Sequence, residues 1–157
     1  MDKANQHLLE IAKGLAVNVG QKIQQEGHLI QNFVFDAENT KEMKAALDLV
    51  VEKIIIDELQ LTGLSILSEE KGWIVGDLLD SRRWIIDPID GTFNYIKSLG
   101  PCAVSIGLWD EGTPIFGVIF CLNTENLYWG GKEFGAFCNE DAISVSDVSD
   151  ISVSSIC

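Results

Sequence analysis

Apolar residues near the start of the chain recur at a spacing of three or four positions. The repeat includes Leu8, Ile11, Leu15, Val19 and Ile23. This spacing places them on one face of a helix, and glycine is a common residue just beyond a helix end. The pattern therefore predicts an amphipathic helix over residues 4–26, with a stop at Gly27.

A second helical repeat follows a polar stretch that runs from Asp36 to Glu42. Its apolar positions are Met43, Leu47, Val50, Val51, Ile54, Ile55 and Leu59, and its charged residues, Asp48, Glu52, Lys53 and Asp57, fall off that stripe. The repeat predicts a helix over about residues 41–60. We expect Asp48, taken by itself, to lie on the solvated flank of this helix.

The pattern changes to short apolar runs from Ser65 onward. Two of them, SILSEE and RRWIID, end in acids, and strands are predicted at 102–109, 115–122, 126–130, 134–138 and 142–146. The connectors DEGTP, NTEN and NED have the length and residue types of hairpin turns. Two helices followed by a largely antiparallel sheet predict an α+β fold.

Composition and charge narrow the class of protein. The 157 residues are 46% hydrophobic, and no apolar run approaches the roughly 20 residues that a membrane helix needs. The net charge of −13 argues against binding to a nucleic-acid polymer or an anionic membrane, because both require a basic surface. The first 16 residues lack a continuous apolar stretch, so we expect no secretory signal and a cytoplasmic protein.

The four cysteines, at positions 102, 121, 138 and 157, are widely spaced and include no Cys-x-x-Cys pair. Only His7 and His28 could add nitrogen ligands. A zinc site is therefore not expected, and the thiols are predicted to be reduced and mostly buried.

The most informative stretch is WIIDPIDGTFN, at residues 84–94. It places Asp87 and Asp90 at the end of an apolar run, and Pro88 restricts the backbone between them. An isolated D-x-x-D pair is more often a capped turn than a site. Here Glu69 and Glu70 end the neighbouring apolar run, and adjacent strand ends would bring several carboxylates together. Such carboxylates require cations, and oxygen-only ligands select Mg²⁺, Mn²⁺ or Ca²⁺.

Two residues after these acids favour an anionic guest. Gly91 allows close approach to the backbone, and Thr92 supplies a hydroxyl and an amide. If the residues that follow begin a helical turn, both amides point at the group that the cations hold, and a helix N-terminus favours an anion. A phosphate group is the expected guest.

These residues resemble the first signature of the inositol monophosphatase family, a group of Mg²⁺-dependent, lithium-sensitive phosphatases. SEE at 68–70, CAVSIGL at 102–108 and GAFCN at 135–139 extend the similarity over most of residues 5–150. The resemblance implies the N-terminal domain of the inositol monophosphatase and fructose-1,6-bisphosphatase fold. It also implies hydrolysis of a small phosphorylated metabolite, with a homodimer as the full-length assembly.

The resemblance implies a role for each matching residue. Glu69, Asp87 and the carbonyl of Ile89 would bind a first Mg²⁺, and Asp87 would bridge to a second ion held by Asp90. Two or three ions are implied, and Mn²⁺ can substitute.

The remaining implied roles concern the water and the phosphate. Glu69 and Thr92 would orient the attacking water, the amides of Gly91 and Thr92 would bind the phosphate, and Asp48 resembles an acid near the outer metal. Spacing to Asp87 favours Glu69 over Glu70 as the ligand.

The family's second signature, a W-D-x-A element in a C-terminal α/β domain, has no match here. We therefore expect residues 1–157 to form one N-terminal metal-binding domain of a longer phosphatase. The alternative is a catalytically inactive metal-binding or interaction fragment. Inositol monophosphate, histidinol phosphate, a sugar bisphosphate and a 3′-phosphorylated nucleotide all remain open as substrates.

Overall fold

The computed structural model describes residues 2–33 and 40–149, with side chains placed for 2–25 and 47–149. Most of the predicted polar stretch at 36–42, and the alternating segment that ends the chain at 151–157, lie outside the described residues. The elements are α1 (Lys3–Phe33), α2 (Thr40–Gln60), β1 (Ser65–Ser68), β2 (Gly72–Ile74), β3 (Arg82–Asp90), α3 (Thr92–Lys97), β4 (Ala103–Asp110), β5 (Thr113–Cys121), β6 (Asn126–Gly131), β7 (Gly135–Cys138) and β8 (Asp141–Ala142).

The first two helices lie where the apolar repeats predict them. The predicted stop at Gly27 is wrong, because α1 continues to Phe33. A glycine inside a helix costs only about 1 kcal/mol relative to alanine, so it does not end a helix by itself. The second helix, Thr40–Gln60, matches the prediction to within a residue.

The eight strands form one sheet with the order β2-β1-β3-β4-β5-β6-β7-β8. Each neighbouring pair is antiparallel except β1 and β3, which run parallel. The predicted α+β class, with helices on a largely antiparallel sheet, is confirmed.

The strand predictions fail at two places. The short β2, Gly72–Ile74, was not predicted, because three residues carry too little pattern to separate a strand from a loop. The strand predicted at 142–146 is only the pair Asp141–Ala142 in the structure. Residues 143–149 are exposed and lie outside regular structure, so no burial rewards their alternating pattern.

The core lies between the helices and one face of the sheet. The first helix packs on β4 and β5, and the second helix packs on β1 and β3. Alternate sheet residues point into this layer, including Trp84, Ile86, Val104, Ile106, Leu108, Phe116, Val118 and Phe120. The second helix thereby lies above the acid-bearing ends of β1 and β3.

The described cysteines form no disulfide: Cys102 is buried, and Cys121 and Cys138 are partly exposed. Burial raises the pKa of the Cys102 thiol. The thiols are therefore free, as expected, but less buried than expected. Among the described helices, none is long and apolar enough to cross a membrane.

Candidate active site

The parallel pairing of β1 with β3 brings two of the predicted acids side by side. The last pair in the register is Ser68 with Ile86, so the next residues along the two strands are Glu69 and Asp87. The amide of Glu69 donates a hydrogen bond of 3.3 Å to the carbonyl of Ile86. This register turns two acids that are 18 positions apart in sequence into spatial neighbours.

A β-bulge separates Asp87 from Asp90. In the pairing of β3 with β4, Asp87 lies opposite Ser105 and Asp90 lies opposite Ala103, so three steps on β3 face two steps on β4. Pro88 occupies the bulge and is buried. Proline has no amide hydrogen, and bulges are among the few places where a sheet accepts it. The bulge therefore re-aims the chain between the two acids.

The carboxyl group of Asp87 lies in an electrostatically unfavourable place. Burial first, then the charge of Glu69 and a hydrogen bond with it, then the charges of Asp90 and Asp48, raise the pKa of Asp87 to about 7. Its Oδ1 atom is buried and has no hydrogen-bond partner among the described residues. A buried polar atom without a partner is rare and calls for an explanation, and an unseen cation is one such explanation.

The hydroxyl of Thr92 links the end of β3 to α2. Thr92 is only 4% exposed, and its Oγ1 lies 3.0 Å from Asp48 Oδ1 and 2.8 Å from the carbonyl oxygen of Ile89. The expectation that Asp48 lies on a solvated helix face is wrong, since it is 4% exposed. Asp48 is buried because its helix covers β3 and contacts α3.

Gly91 joins the acid pair to the short helix α3. Its backbone is left-handed, with φ 79° and ψ 34°, and a Cβ placed there would lie 2.9 Å from the carbonyl oxygen of Pro101. Both features require glycine. The group that approaches Gly91 closely in this structure is thus the chain's own backbone. The expected helical turn after Gly91 is present as α3, Thr92–Lys97.

The sequence from residue 4 to residue 157 matches the model of the inositol monophosphatase family. The chain belongs to the inositol monophosphatase family. An inositol-1-monophosphatase of Mesorhizobium japonicum is 32% identical over 146 residues, which cover 91% of this chain and 54% of that protein. A fructose-1,6-bisphosphatase/inositol-1-monophosphatase of Aquifex aeolicus is 30% identical, over 88% of this chain and 53% of that protein.

The fold agrees with this membership. A crystal structure of inositol monophosphatase II from Staphylococcus aureus has a TM-score of 0.75 and 25% sequence identity. The match covers 92% of this chain and 54% of that one. The chain thus spans about half the length of the relatives that it matches.

In this member of the inositol monophosphatase family, some but not all of the predicted acids lie close together. Asp48, Glu69 and Asp90 all lie near enough to act on the pKa of Asp87, whereas Glu70 is not among the groups that do so. In the part of the chain that the structure describes, no group of three or more His, Cys, Asp or Glu side chains is arranged to hold a metal ion. Glu69 already hydrogen-bonds the carboxyl group of Asp87. Asp90 is exposed, so its side chain can turn toward Asp87.

The residues present nevertheless fit a hard divalent cation. The donors around Asp87 are oxygens only, which suits Mg²⁺ or Mn²⁺. The buried Oδ1 of Asp87 has no hydrogen-bond partner among the described residues, so a cation there would satisfy it. The carbonyl oxygen of Ile89 has two lone pairs, so it keeps one for a metal even when it accepts the hydrogen bond from Thr92.

Sequence reasoning missed Glu52 as a residue of this region. The helical repeat puts Glu52 off the apolar stripe of the second helix, yet its side chain is fully buried, with 0% exposure. Its carboxylate accepts hydrogen bonds from the hydroxyl of Ser68 and the amide of Lys71. One signal could have found it: Glu52 lies one helical turn after Asp48, in the apolar run LVVEKIII.

Proposed function

We propose that this chain contributes the metal-binding and phosphate-binding half of an enzyme that hydrolyses small phosphate monoesters. The observation that carries the proposal is the environment of Asp87. Its Oδ1 is buried without a hydrogen-bond partner among the described residues, and three further carboxylates lie near enough to raise its pKa. Carboxylates that lie this close together are stable only when protons or cations neutralise their charge. We infer cations, because phosphatases of the inositol monophosphatase family are generally metal-dependent.

Two Mg²⁺ ions, or three, would be held by the residues at the neighbouring ends of β1 and β3. Glu69, Asp87 and the carbonyl of Ile89 are the proposed ligands of the first ion, and Asp87 and Asp90 are those of the second. Mn²⁺ has the same preference for oxygen ligands and is a proposed substitute. When bound, a pair of divalent ions lowers the pKa of a bound water and neutralises charge on phosphate oxygens.

Thr92 is proposed to orient the attacking water. Its hydroxyl has one hydrogen, which it donates either to Asp48 or to the carbonyl of Ile89. Either donation leaves a lone pair on Oγ1 that can accept a hydrogen bond from water. Glu69, exposed beside Asp87, is proposed to accept the second hydrogen of that water.

The amides of Gly91 and Thr92 are the proposed phosphate contacts. The left-handed backbone at Gly91 directs the chain sharply after Asp90, so the amides follow the second metal ligand without an intervening side chain. Backbone donors of this kind are already oriented before the substrate arrives, which is what makes such contacts effective in the transition state.

The substrate is proposed to be a phosphorylated polyol or sugar. This class follows from the names of the relatives, which include inositol monophosphatases and a fructose-1,6-bisphosphatase. Histidinol phosphate and 3′-phosphorylated nucleotides stay open within the same reaction. A homodimer for the full-length protein also stays a prediction.

The test of the proposal is phosphate release from inositol monophosphate and fructose 1,6-bisphosphate with and without Mg²⁺. It uses the 157-residue chain, a version carrying any coding sequence that follows Cys157, and the M. japonicum relative as a positive control. We expect Mg²⁺-dependent release by the longer version.

Thr92→Ala should lower kcat more than it raises KM, and Thr92→Ser should restore kcat, because the hydroxyl acts in the transition state. Equal kcat for Thr92→Ala and wild type would remove Thr92 from the mechanism.

The 157-residue chain by itself is expected to release little phosphate. It covers about half of each relative, so groups in the other half of those proteins are not available to it. Cation binding without turnover by every version would favour the second candidate, a metal-binding fragment that is not catalytic. Turnover by the short chain equal to that of the longer version would show that these residues complete the site.

A further inference from the structure

Glu52 is a fully buried carboxylate that contacts the chain on both sides of the predicted ligand Glu69. Its Oε1 atom accepts a hydrogen bond from the hydroxyl of Ser68 and one of 2.9 Å from the amide of Lys71. Ser68 ends β1, and Lys71 follows Glu69 and Glu70 in the turn to β2. One oxygen atom of the second helix thus holds both ends of the two-residue acidic turn.

The arrangement is poorly suited to stabilising the fold alone. The second oxygen, Oε2, is buried without a hydrogen-bond partner among the described residues, and its nearest cation is Lys71 Nζ at 3.9 Å. A carboxylate in such a place loses hydration, and well-packed apolar residues often stabilise a core as well or better. We therefore expect the role of Glu52 to lie in the neighbouring site, and not in core packing.

Glu52 also lies one helical turn after Asp48, the residue that contacts Thr92. Two side chains of the second helix, Asp48 and Glu52, thus contact the candidate site. Asp48 contacts Thr92, which begins α3 just after β3, and Glu52 contacts the turn that follows β1. These are the two strand ends whose acids meet at Asp87.

We propose that Glu52 is a positioning residue that holds Glu69 beside Asp87 and thereby sets the affinity of the site for its first divalent cation. The inference rests on the proposed function. Glu69 is exposed, so its own packing does not fix it. Its backbone amide donates a hydrogen bond of 3.3 Å to the carbonyl oxygen of Ile86, and the contacts to Glu52 hold the turn from the other side. Residues that orient ligands without touching the metal typically change metal affinity by roughly 10- to 100-fold.

Two substitutions separate position from charge. Glu52→Gln removes the charge but keeps a carbonyl oxygen that can accept from both Ser68 and Lys71. Glu52→Asp keeps the charge but withdraws the oxygen by one methylene. Ser68→Ala removes one contact with little change in volume, and serves as the mild variant in case the first two fail to fold. Glu58→Gln, an exposed position on the same helix, is the matched control.

The readout is Mn²⁺ affinity of the folded chain, measured by calorimetry and by electron paramagnetic resonance, with the melting temperature recorded for each variant. We expect Glu52→Asp to bind about tenfold more weakly. Glu52→Gln and Glu58→Gln should lie within about twofold of wild type, with Ser68→Ala between these values. Amide exchange at Lys71, followed by NMR without metal, should be faster in Glu52→Asp.

The outcomes are distinguishable. A purely structural Glu52 would lower the melting temperature of its variants and leave Mn²⁺ affinity unchanged, which would overturn the inference alone. Weaker binding by Glu52→Gln than by Glu52→Asp would show that charge, and not position, matters, and would overturn it too. Absence of Mn²⁺ binding by the wild type would overturn the proposed function, and the role of Glu52 with it.

Discussion

The two ends of the sheet are built differently. At one end, β1 and β3 run parallel, a bulge carries Pro88, and four carboxylates lie close enough to interact. At the other end, β5 to β8 form an antiparallel meander whose pairs keep a regular register. Residues in that meander contribute packing and turns, with Trp129 stacked on Phe137 at 4.2 Å.

The difference shows where the chain gives up regularity and what it gains. In a regular antiparallel ladder the backbone groups are hydrogen-bonded and the side chains alternate between the two faces of the sheet. Such a ladder does not bring several acids together at one point. The parallel step and the bulge place strand ends, not strand faces, against each other. The chemistry lies where the ladder is interrupted. Four measurements test this contrast, in order of decreasing expected effect.

The largest effect is expected from the core tryptophan under α2. Trp84 is 0% exposed, and its Nε1 donates to Thr62 Oγ1 at 3.0 Å. Trp84→Ala should destabilise the chain by about 3–5 kcal/mol, and Trp129→Ala, partly exposed in the meander, by less than half as much. Urea unfolding followed by circular dichroism measures both. Equal losses would mean that the two ends of the sheet are equally important to stability.

The second effect concerns cation binding. Asp87→Asn should weaken Mg²⁺ or Mn²⁺ binding by at least about a hundredfold. Asp87 is the proposed bridge between two ions, and residues that only orient ligands already change metal affinity by roughly 10- to 100-fold. Asp141→Asn, the same change in exposed β8, should leave binding unaltered. Calorimetric titration compares the two. Equal heats for wild type and Asp87→Asn would rule out the proposed ligand set.

The third effect separates a close contact from backbone strain. Gly91 and Gly112 both have positive φ angles, 79° and 86°, but a Cβ meets the Pro101 carbonyl oxygen only at Gly91. Gly112→Ala should cost about 1 kcal/mol of unfolding free energy, and Gly91→Ala about 2 kcal/mol or more. Thermal and urea unfolding give the difference. A smaller loss at Gly91 would show that the turn after Asp90 relaxes easily.

The smallest effect is a pH dependence in the absence of metal, because Asp87 is partly exposed and solvent screens its charge. The pKa of Asp87 is about 7 in the folded chain against an ordinary value of 3.8. The proton is bound more tightly in the folded state, so this group stabilises the fold below about pH 4 and the contribution is lost as pH rises through 7. With EDTA present, the melting temperature at pH 5 should exceed that at pH 8 by more in wild type than in Asp87→Asn. The control Asp141→Asn should keep the full wild-type difference in melting temperature between pH 5 and pH 8. An equally large difference in Asp87→Asn would contradict the raised pKa of Asp87.

The sequence by itself determined much of this protein through patterns that are local in the chain. Helical spacing found α2, alternation and turn residues found β4 to β7, and the α+β class followed. The segment from Asp87 to Thr92 could be recognised as a candidate site from its residue types, because two acids with a proline between them and a glycine after them are unusual at the end of an apolar run. Family membership was readable from the same residues.

Only the tertiary structure decided which acids are buried and which acids meet. Asp48 and Glu52 look like polar-face residues in a helical repeat, and they are buried because their helix lies over the ends of β1 and β3. Glu69 adjoins Asp87 through the parallel register of those strands. Local periodicity describes one element at a time, whereas the burial of a charge depends on the elements packed against it, and those contacts join residues distant in the chain.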